Sequence, residues 1–381
     1  MSASSEKIPE YPLRSIYFYP TESCNLKCIH CWINPVHASD DQTFETQNRD
    51  NISVNTMDRV VRDAVPLGLN HIKLTGGEPF LHPHLFGFLE CFSRNGLSLS
   101  FETNGTLLTK PIVNRLKEYK LRQISISLDG STPEVHERIR GAKGCFDEAI
   151  KGIRLLIEEG IYPQVIFCLQ KINASDLENT IRLVQKIGVR SFEINPLAVL
   201  GESKASTKGC EGLPIEELLS LGKAVERRFP EQYPDMHIDL YLPPALKGIK
   251  ELSMNTLCTC RIHSICGILS NGDVSICGIG RRKKNLIMGN VKETGIARIW
   301  EEGEIFKEIR EKVPLQMEGV CGKCLFRSHC LGFCRADVLY NKQSVLAPYR
   351  VCEEAFQKTI FPESRLFSDE EISKIRRSRA Q

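Results

Sequence analysis

The sequence predicts an α/β protein in which six strand–helix units form a parallel sheet curved into a full or partial barrel, followed by a small cysteine-rich domain. Three observations carry that expectation. Short β-branched or apolar runs alternate with amphipathic helical stretches from about residue 13 to 200, which is strand–helix order. Such units join by right-handed crossovers into a parallel sheet. The third observation is 16 cysteines in 381 residues, gathered mostly near the start and in the last third.

The first strand is expected over Arg14 to Tyr19. The others are expected at His71 to Thr75, Leu97 to Thr103, Arg122 to Leu128, Pro163 to Leu169 and Ser191 to Pro196. Val54 to Val65, Phe146 to Glu158 and Ala174 to Ile187 read as helices between them. In this architecture functional residues sit at the carboxyl ends of the strands. We expect residues 1–240 to form the barrel, 241–355 the cysteine-rich domain with a β-hairpin and short helices, and 356–381 a helical tail.

A formal net charge of +3 is small for this length and excludes a broad nucleic-acid-binding field. The basic runs Arg281 to Lys284 and Lys374 to Arg379 read as solvated surface. No apolar run is long enough to span a membrane, and no amino-terminal segment reads as a secretory signal. A cytoplasmic location follows, where clustered cysteines are reduced and serve as metal ligands.

Cys24, Cys28 and Cys31 stand at C-x3-C-x2-C spacing, with Trp32 directly behind. Three thiolates hold three irons of a four-iron cluster and leave the fourth open to a ligand. The bland alternative is a zinc or redox-thiol loop. At the end of the second strand stand Gly76, Gly77, Glu78 and Pro79, where two glycines permit close backbone approach and Glu78 offers a carboxylate. This pair of motifs resembles the radical S-adenosylmethionine (SAM) enzymes. One departure is His30, an imidazole where that family usually places another aromatic ring before the last cysteine. The resemblance implies that SAM chelates the open iron and that Gly76, Gly77 and Glu78 meet its amino group. Thr103, Asn104, Ser127, Asp129 and Arg140, on or after the third and fourth strands, would line its ribose and methionine parts. Asp129 before Gly130 reads equally as a turn residue, and Arg140 as a surface arginine.

In the last third, Cys260, Cys266 and Cys277 precede Cys321, Cys324, Cys330, Cys334 and Cys352, with Asn271, Gly272 and Asp273 as a hairpin turn between short β-like runs. The spacing is similar to the SPASM pattern of auxiliary clusters. Carried over by position, Cys260, Cys266, Cys277 and Cys334 hold one [4Fe–4S] cluster, and Cys321, Cys324, Cys330 and Cys352 the other. Two structural zinc sites are the alternative, and Cys258 could replace Cys260. Three clusters and SAM are therefore the expected cofactors. Cys91 and Cys168 read as small core residues, Cys145 and Cys210 as thiols in polar loops.

The resemblance implies a 5′-deoxyadenosyl radical that abstracts hydrogen from substrate, with the auxiliary clusters as electron sink and flavodoxin or ferredoxin as electron donor. A peptide or protein whose side chain is oxidised or cross-linked is the expected substrate. A small-molecule enzyme of haem or tetrapyrrole type is the rival. Anaerobic sulfatase maturation is disfavoured, because Gly278 stands where those enzymes carry an aspartate, and no general base is identified. The stretch before Cys24 is too short for an independent leader-binding core. A peptide would be delivered by a separate small protein, or held by the barrel mouth and the polar insertion Asn34 to Asn51.

Overall fold

A computed structural model describes residues 10–33, 35–36, 51–198, 210–253, 260–281, 283–368 and 370–371. Strands β1 (Ser15–Phe18), β2 (His71–Leu74), β3 (Ser98–Thr103), β4 (Leu121–Ser127), β5 (Gln164–Leu169) and β6 (Ser191–Pro196) coincide with the six expected, and each pairs in parallel with the next. A seventh, β7 (His237–Leu240), adds parallel to β6. With four residues it is too short to show a period in the sequence. Helices α1 (Val54–Ala64), α2 (Leu85–Arg94), α3 (Lys110–Leu116), α4 (Pro133–Arg140), α5 (Cys145–Glu158) and α6 (Leu177–Ile187) make crossovers. Their ends follow local chemistry. The Ser53 hydroxyl accepts from the Thr56 amide at the start of α1, and Gly141 and Gly188 end α4 and α6 at φ +71° and +102°.

The cysteine-rich segment does not form a separate sheet. Strand β8 (Ile265–Ile268) pairs in parallel with β1, and β9 (Asp273–Ser275) returns antiparallel through the expected hairpin, with Gly272 at φ +93°. With β10 (Gly289–Asn290) the result is one open ten-stranded sheet, ordered β10-β9-β8-β1-β2-β3-β4-β5-β6-β7. Short helices follow, among them Arg335–Lys342 and Arg350–Gln357. The helical tail expected from residue 356 is not found over 358–368, where the only regular element is a 3₁₀ turn at Glu363–Arg365.

Buried parallel strands are usually apolar on both faces. Here they alternate. Ile16, Phe18, Ile72, Leu74, Leu99, Phe101, Val165, Phe167, Phe192 and Ile194 are buried in the main core. Phe18 meets Phe88 and Phe92 of α2 edge-on, with ring centroids 5.0 and 6.1 Å apart. The opposite face carries Tyr17, Lys73, Ser100, Glu102, Gln164 and Glu193, all half-buried. In parallel register these residues share one face of the sheet. A closed barrel fills that space with packed branched side chains, whereas the space on this side of the curved sheet, called the chamber below, is walled by polar ones.

Candidate functional site

Cys24, Cys28 and Cys31 lie on the loop that leaves the carboxyl end of β1, within electrostatic reach of one another. Burial pushes the Cys24 and Cys28 thiols up to about 12 and about 11. The loop is held by backbone bonds on both sides. The Lys27 and Ile29 amides donate to the Arg140 and Ile139 carbonyls at the end of α4, at 3.0 and 2.9 Å. On the other side the Gly77 and Glu78 amides donate to the Thr21 and Ser23 carbonyls, at 3.0 and 2.8 Å. This contact requires the glycine: a Cβ on Gly77 would stand 2.0 Å from the Ser23 carbonyl oxygen. Gly76 contributes φ +129°.

Glu78 is buried, and its carboxylate takes three donors: the Thr103 hydroxyl at 2.7 Å, the Asn104 amide at 2.9 Å and the Phe80 amide at 3.2 Å. Burial nevertheless pushes its pKa up to about 7. The Asn104 side chain donates to Asn25 on the cysteine loop at 2.8 Å. In the described arrangement Glu78, Thr103 and Asn104 clasp β2 and β3 to the loop, so these expected SAM contacts also carry the loop's position. Ser127 lies half-buried on the chamber face of β4, and Trp32 packs beside Tyr19, Ile33 and Leu269.

Arg140 is not on the surface. It is 7% exposed, its Nε pairs with the fully buried Asp129 at 2.8 Å, and its Nη1 points to the Cys28 sulfur at 3.8 Å. Asp129 also accepts from the Cys168 amide at 2.8 Å and faces His30 at 3.8 Å. The arginine holds the Asp129 carboxyl below its usual range against the opposing effect of burial. Burial drives His30 down to about 4, so the ring is neutral at pH 7, with Gln170 at 3.4 Å from Nδ1. Sequence reasoning passed over Gln170, whose only signal is its place just past β5. Cys168 pairs in register with Asn195 on the chamber face and is not the core residue expected. Cys145 is buried at the first residue of α5 and not in an open loop.

Cys321, Cys324, Cys330 and Cys352 line one small cavity together with Met317, Val320 and Phe361. They ring this space without converging on a point, and among the described residues no three His, Cys, Asp or Glu converge on a single ion. A ring of four thiols about a cavity is the donor set of a cluster. Cys260, Cys277 and Cys334 form a second group within electrostatic reach of each other. Between the groups Arg335 is fully buried and donates to the carbonyls of Gly332, Val345 and Ala347. Among the described residues no carboxylate ion-pairs with it. Its charge instead reaches Cys260 and Cys334 on one side and Cys321, Cys330 and Cys352 on the other. These thiols fit the clusters.

Cys266 does not join them. On β8 it pairs in register with Ile16, fully buried in the main core. The next residue, Gly267, takes the chamber face beside Tyr17, and a Cβ there would stand 2.6 Å from the Cys277 backbone. Side chains alternate across a strand, so Cys266 points away from Cys277. Burial alone raises its thiol, with no other cysteine contributing. Of the four cysteines expected at the inner site the structure brings Cys260, Cys277 and Cys334 together and leaves Cys266 apart from them. Cys258, like 34, 37–50, 282 and 372–381, lies outside the described residues.

The inner cysteines stand where the sheet opens. Cys260 acts electrostatically on both Tyr17 of β1 and Tyr241 just past β7, and Tyr17 acts on Tyr241, so the group lies between β1 and the β7 end of the sheet. Burial pushes the Tyr17 hydroxyl up to about 12.

The family model of the radical SAM superfamily matches residues 18–184, and that of the SPASM iron–sulfur cluster-binding domain residues 258–325. The chain is 26% identical to an AdoMet-dependent heme synthase of Methanosarcina barkeri, over 85% of this chain and 91% of that protein. It is 22% identical to the mycofactocin maturase MftC of Mycobacterium tuberculosis, over 91% and 84%. In fold it is similar to SuiB of Streptococcus suis bound to S-adenosylmethionine, with TM-score 0.69, 18% identity and 90% and 77% of the two chains covered. No described helix is long and apolar enough to cross a membrane.

Proposed function

Since the chain belongs to the radical SAM superfamily and carries a SPASM iron–sulfur domain, we propose that it oxidatively modifies or cross-links side chains of a peptide or protein. Cys24, Cys28 and Cys31 would hold the SAM-binding cluster, Cys260, Cys277 and Cys334 the inner auxiliary one, and Cys321, Cys324, Cys330 and Cys352 the outer. When bound, the first cluster and SAM supply a 5′-deoxyadenosyl radical, and the auxiliary clusters accept an electron from substrate. The protein's part is positional. Arg140 and Asp129 fix the loop and its Cys28 sulfur, neutral His30 adds no charge there, and the polar chamber receives the substrate.

One observation carries the reading. The cysteine loop leaves the carboxyl end of β1, and Cys260 of the inner auxiliary group acts on both Tyr17 of β1 and Tyr241 past β7, so the two cysteine groups flank the polar face of the sheet. A substrate seated between them would face both the radical source and the electron sink. SuiB, of similar fold, has been solved with its precursor peptide SuiA, and MftC is named a maturase, which supports a peptide. The full-length similarity to heme synthases favours a tetrapyrrole as second reading.

The test is a Cys28→Ala protein prepared anaerobically with reductant and SAM. It should yield no 5′-deoxyadenosine while retaining auxiliary-cluster iron. Normal 5′-deoxyadenosine production would remove the assignment. Binding of iron coproporphyrin III to the intact holoenzyme separates the two substrates.

A further inference from the structure

The chamber wall made by β4 to β7 is built of acceptors. Its inward positions are Gln123, Ser125 and Ser127, then Gln164, Ile166 and Cys168, then Ser191, Glu193 and Asn195, then His237 and Asp239. From Gln123 through β7 this face carries no lysine or arginine; Arg122, at the bulge where the register of β4 on β3 shifts, is exposed, and its charge reaches His71 of β2. Lys73 on β2 shares this face; it is in contact with Glu102 and leans on the Tyr17 ring at 5.1 Å.

Glu193 and Asp239 are register partners on adjacent strands. Glu193 takes the Gln164 amide at 3.2 Å, and no cation among the described residues ion-pairs with it. Asp239 is 7% exposed; its Oδ1 takes Lys247 at 2.6 Å, and its buried Oδ2 has no hydrogen-bond partner. The Oδ1 of Asn195 and the Oε1 of the fully buried Gln170 are likewise buried without a donor. Unsatisfied buried acceptors of this kind each cost stability unless a donor arrives. Three neighbouring strands place them along one wall.

We propose that this wall binds a basic side chain, lysine or arginine, of the peptide substrate, with Glu193, Asn195 and Asp239 as its acceptors. The inference rests on the peptide reading above and deepens it. A cation with several N–H donors satisfies the oxygens and the Glu193 carboxylate, which Lys73 reaches electrostatically without forming an ion pair, whereas a propionate-bearing tetrapyrrole would bring more carboxylates against them.

Reconstituted holoenzyme with SAM would be titrated with acetyl-Gly-Lys-Gly-amide, acetyl-Gly-Glu-Gly-amide and iron coproporphyrin III, with binding followed by ligand-observed NMR or absorbance. The lysine peptide should bind at least about tenfold tighter than the glutamate peptide, about 1.4 kcal/mol, and Glu193→Gln should erase most of that ratio. Asn195→Asp, which adds a charge at the same wall, should widen it; this variant keeps the test sound if Glu193→Gln folds poorly by melting and iron content. Equal affinities for the two peptides, or binding of neither, overturn the inference and leave the maturase reading standing. Tight binding of iron coproporphyrin III with none of either peptide overturns both.

Discussion

Replacing Cys266 by alanine separates two readings of the cysteine-rich segment. If the cysteine spacing alone decides, the variant loses a cluster ligand. The structure instead places Cys266 opposite Ile16 in the apolar core, one residue out of phase with the chamber face. Truncation then removes one buried sulfur, comparable to a methyl group. That costs about 1 kcal/mol in lost burial and packing, with a small further term for the cavity left behind. For a chain of this size the melting temperature should fall by roughly 1 °C. Iron and sulfide per chain after anaerobic reconstitution should equal those of the parent, as should the spectrum of the reduced clusters. Cys277→Ala, handled in parallel, should lose about one cluster's iron. The reasoning fails if Cys266→Ala sheds iron to the same extent as Cys277→Ala. Cys266→Val, which refills the volume without a thiol, should hold both iron and melting temperature.

Arg335 is buried between the two auxiliary cysteine groups, where it donates to three carbonyls and to the Cys321 sulfur. Its positive charge stabilises the reduced, more negative clusters, so Arg335→Met should lower both auxiliary potentials in a redox titration followed by paramagnetic resonance, while unchanged potentials would show that the charge is not felt. Arg140→Gln leaves Asp129 buried without its guanidinium and should destabilise the protein by about 3–5 kcal/mol, read by denaturant unfolding; adding Asp129→Asn should recover much of the loss, and no recovery would argue against the pair. Cys324→Ala should remove the outer cluster and uncouple the reaction, so that 5′-deoxyadenosine still forms while product does not; normal product without that cluster would discard its role as electron sink.

What the sequence disclosed and what it concealed follow from the range of the interactions involved. Six strands were legible because each is a compact run between helical periods, and the cysteine loop because its ligands are neighbours in the chain. The hairpin was legible for the same reason, since Asn271, Gly272 and Asp273 are a local turn signal. Spacing could not tell which face Cys266 occupies. That is set by the register of β8 on β1, a pairing between segments some 250 residues apart. Arg140 was equally opaque: its burial depends on Cys28, which lies on the loop after β1 more than a hundred residues away, as well as on the nearby Asp129. The chamber, by contrast, was written in the strands and could have been read. His71 to Leu74, Ser98 to Thr103 and Ser191 to Asn195 alternate polar and apolar residues, where a packed barrel would be apolar on both faces. Alternation in a parallel sheet whose outer face is covered by helices means that its inner face meets water or a ligand. The charges carried on that inner face then bear on which ligand it takes, and here β5 to β7 carry carboxylates and amide oxygens and no lysine or arginine.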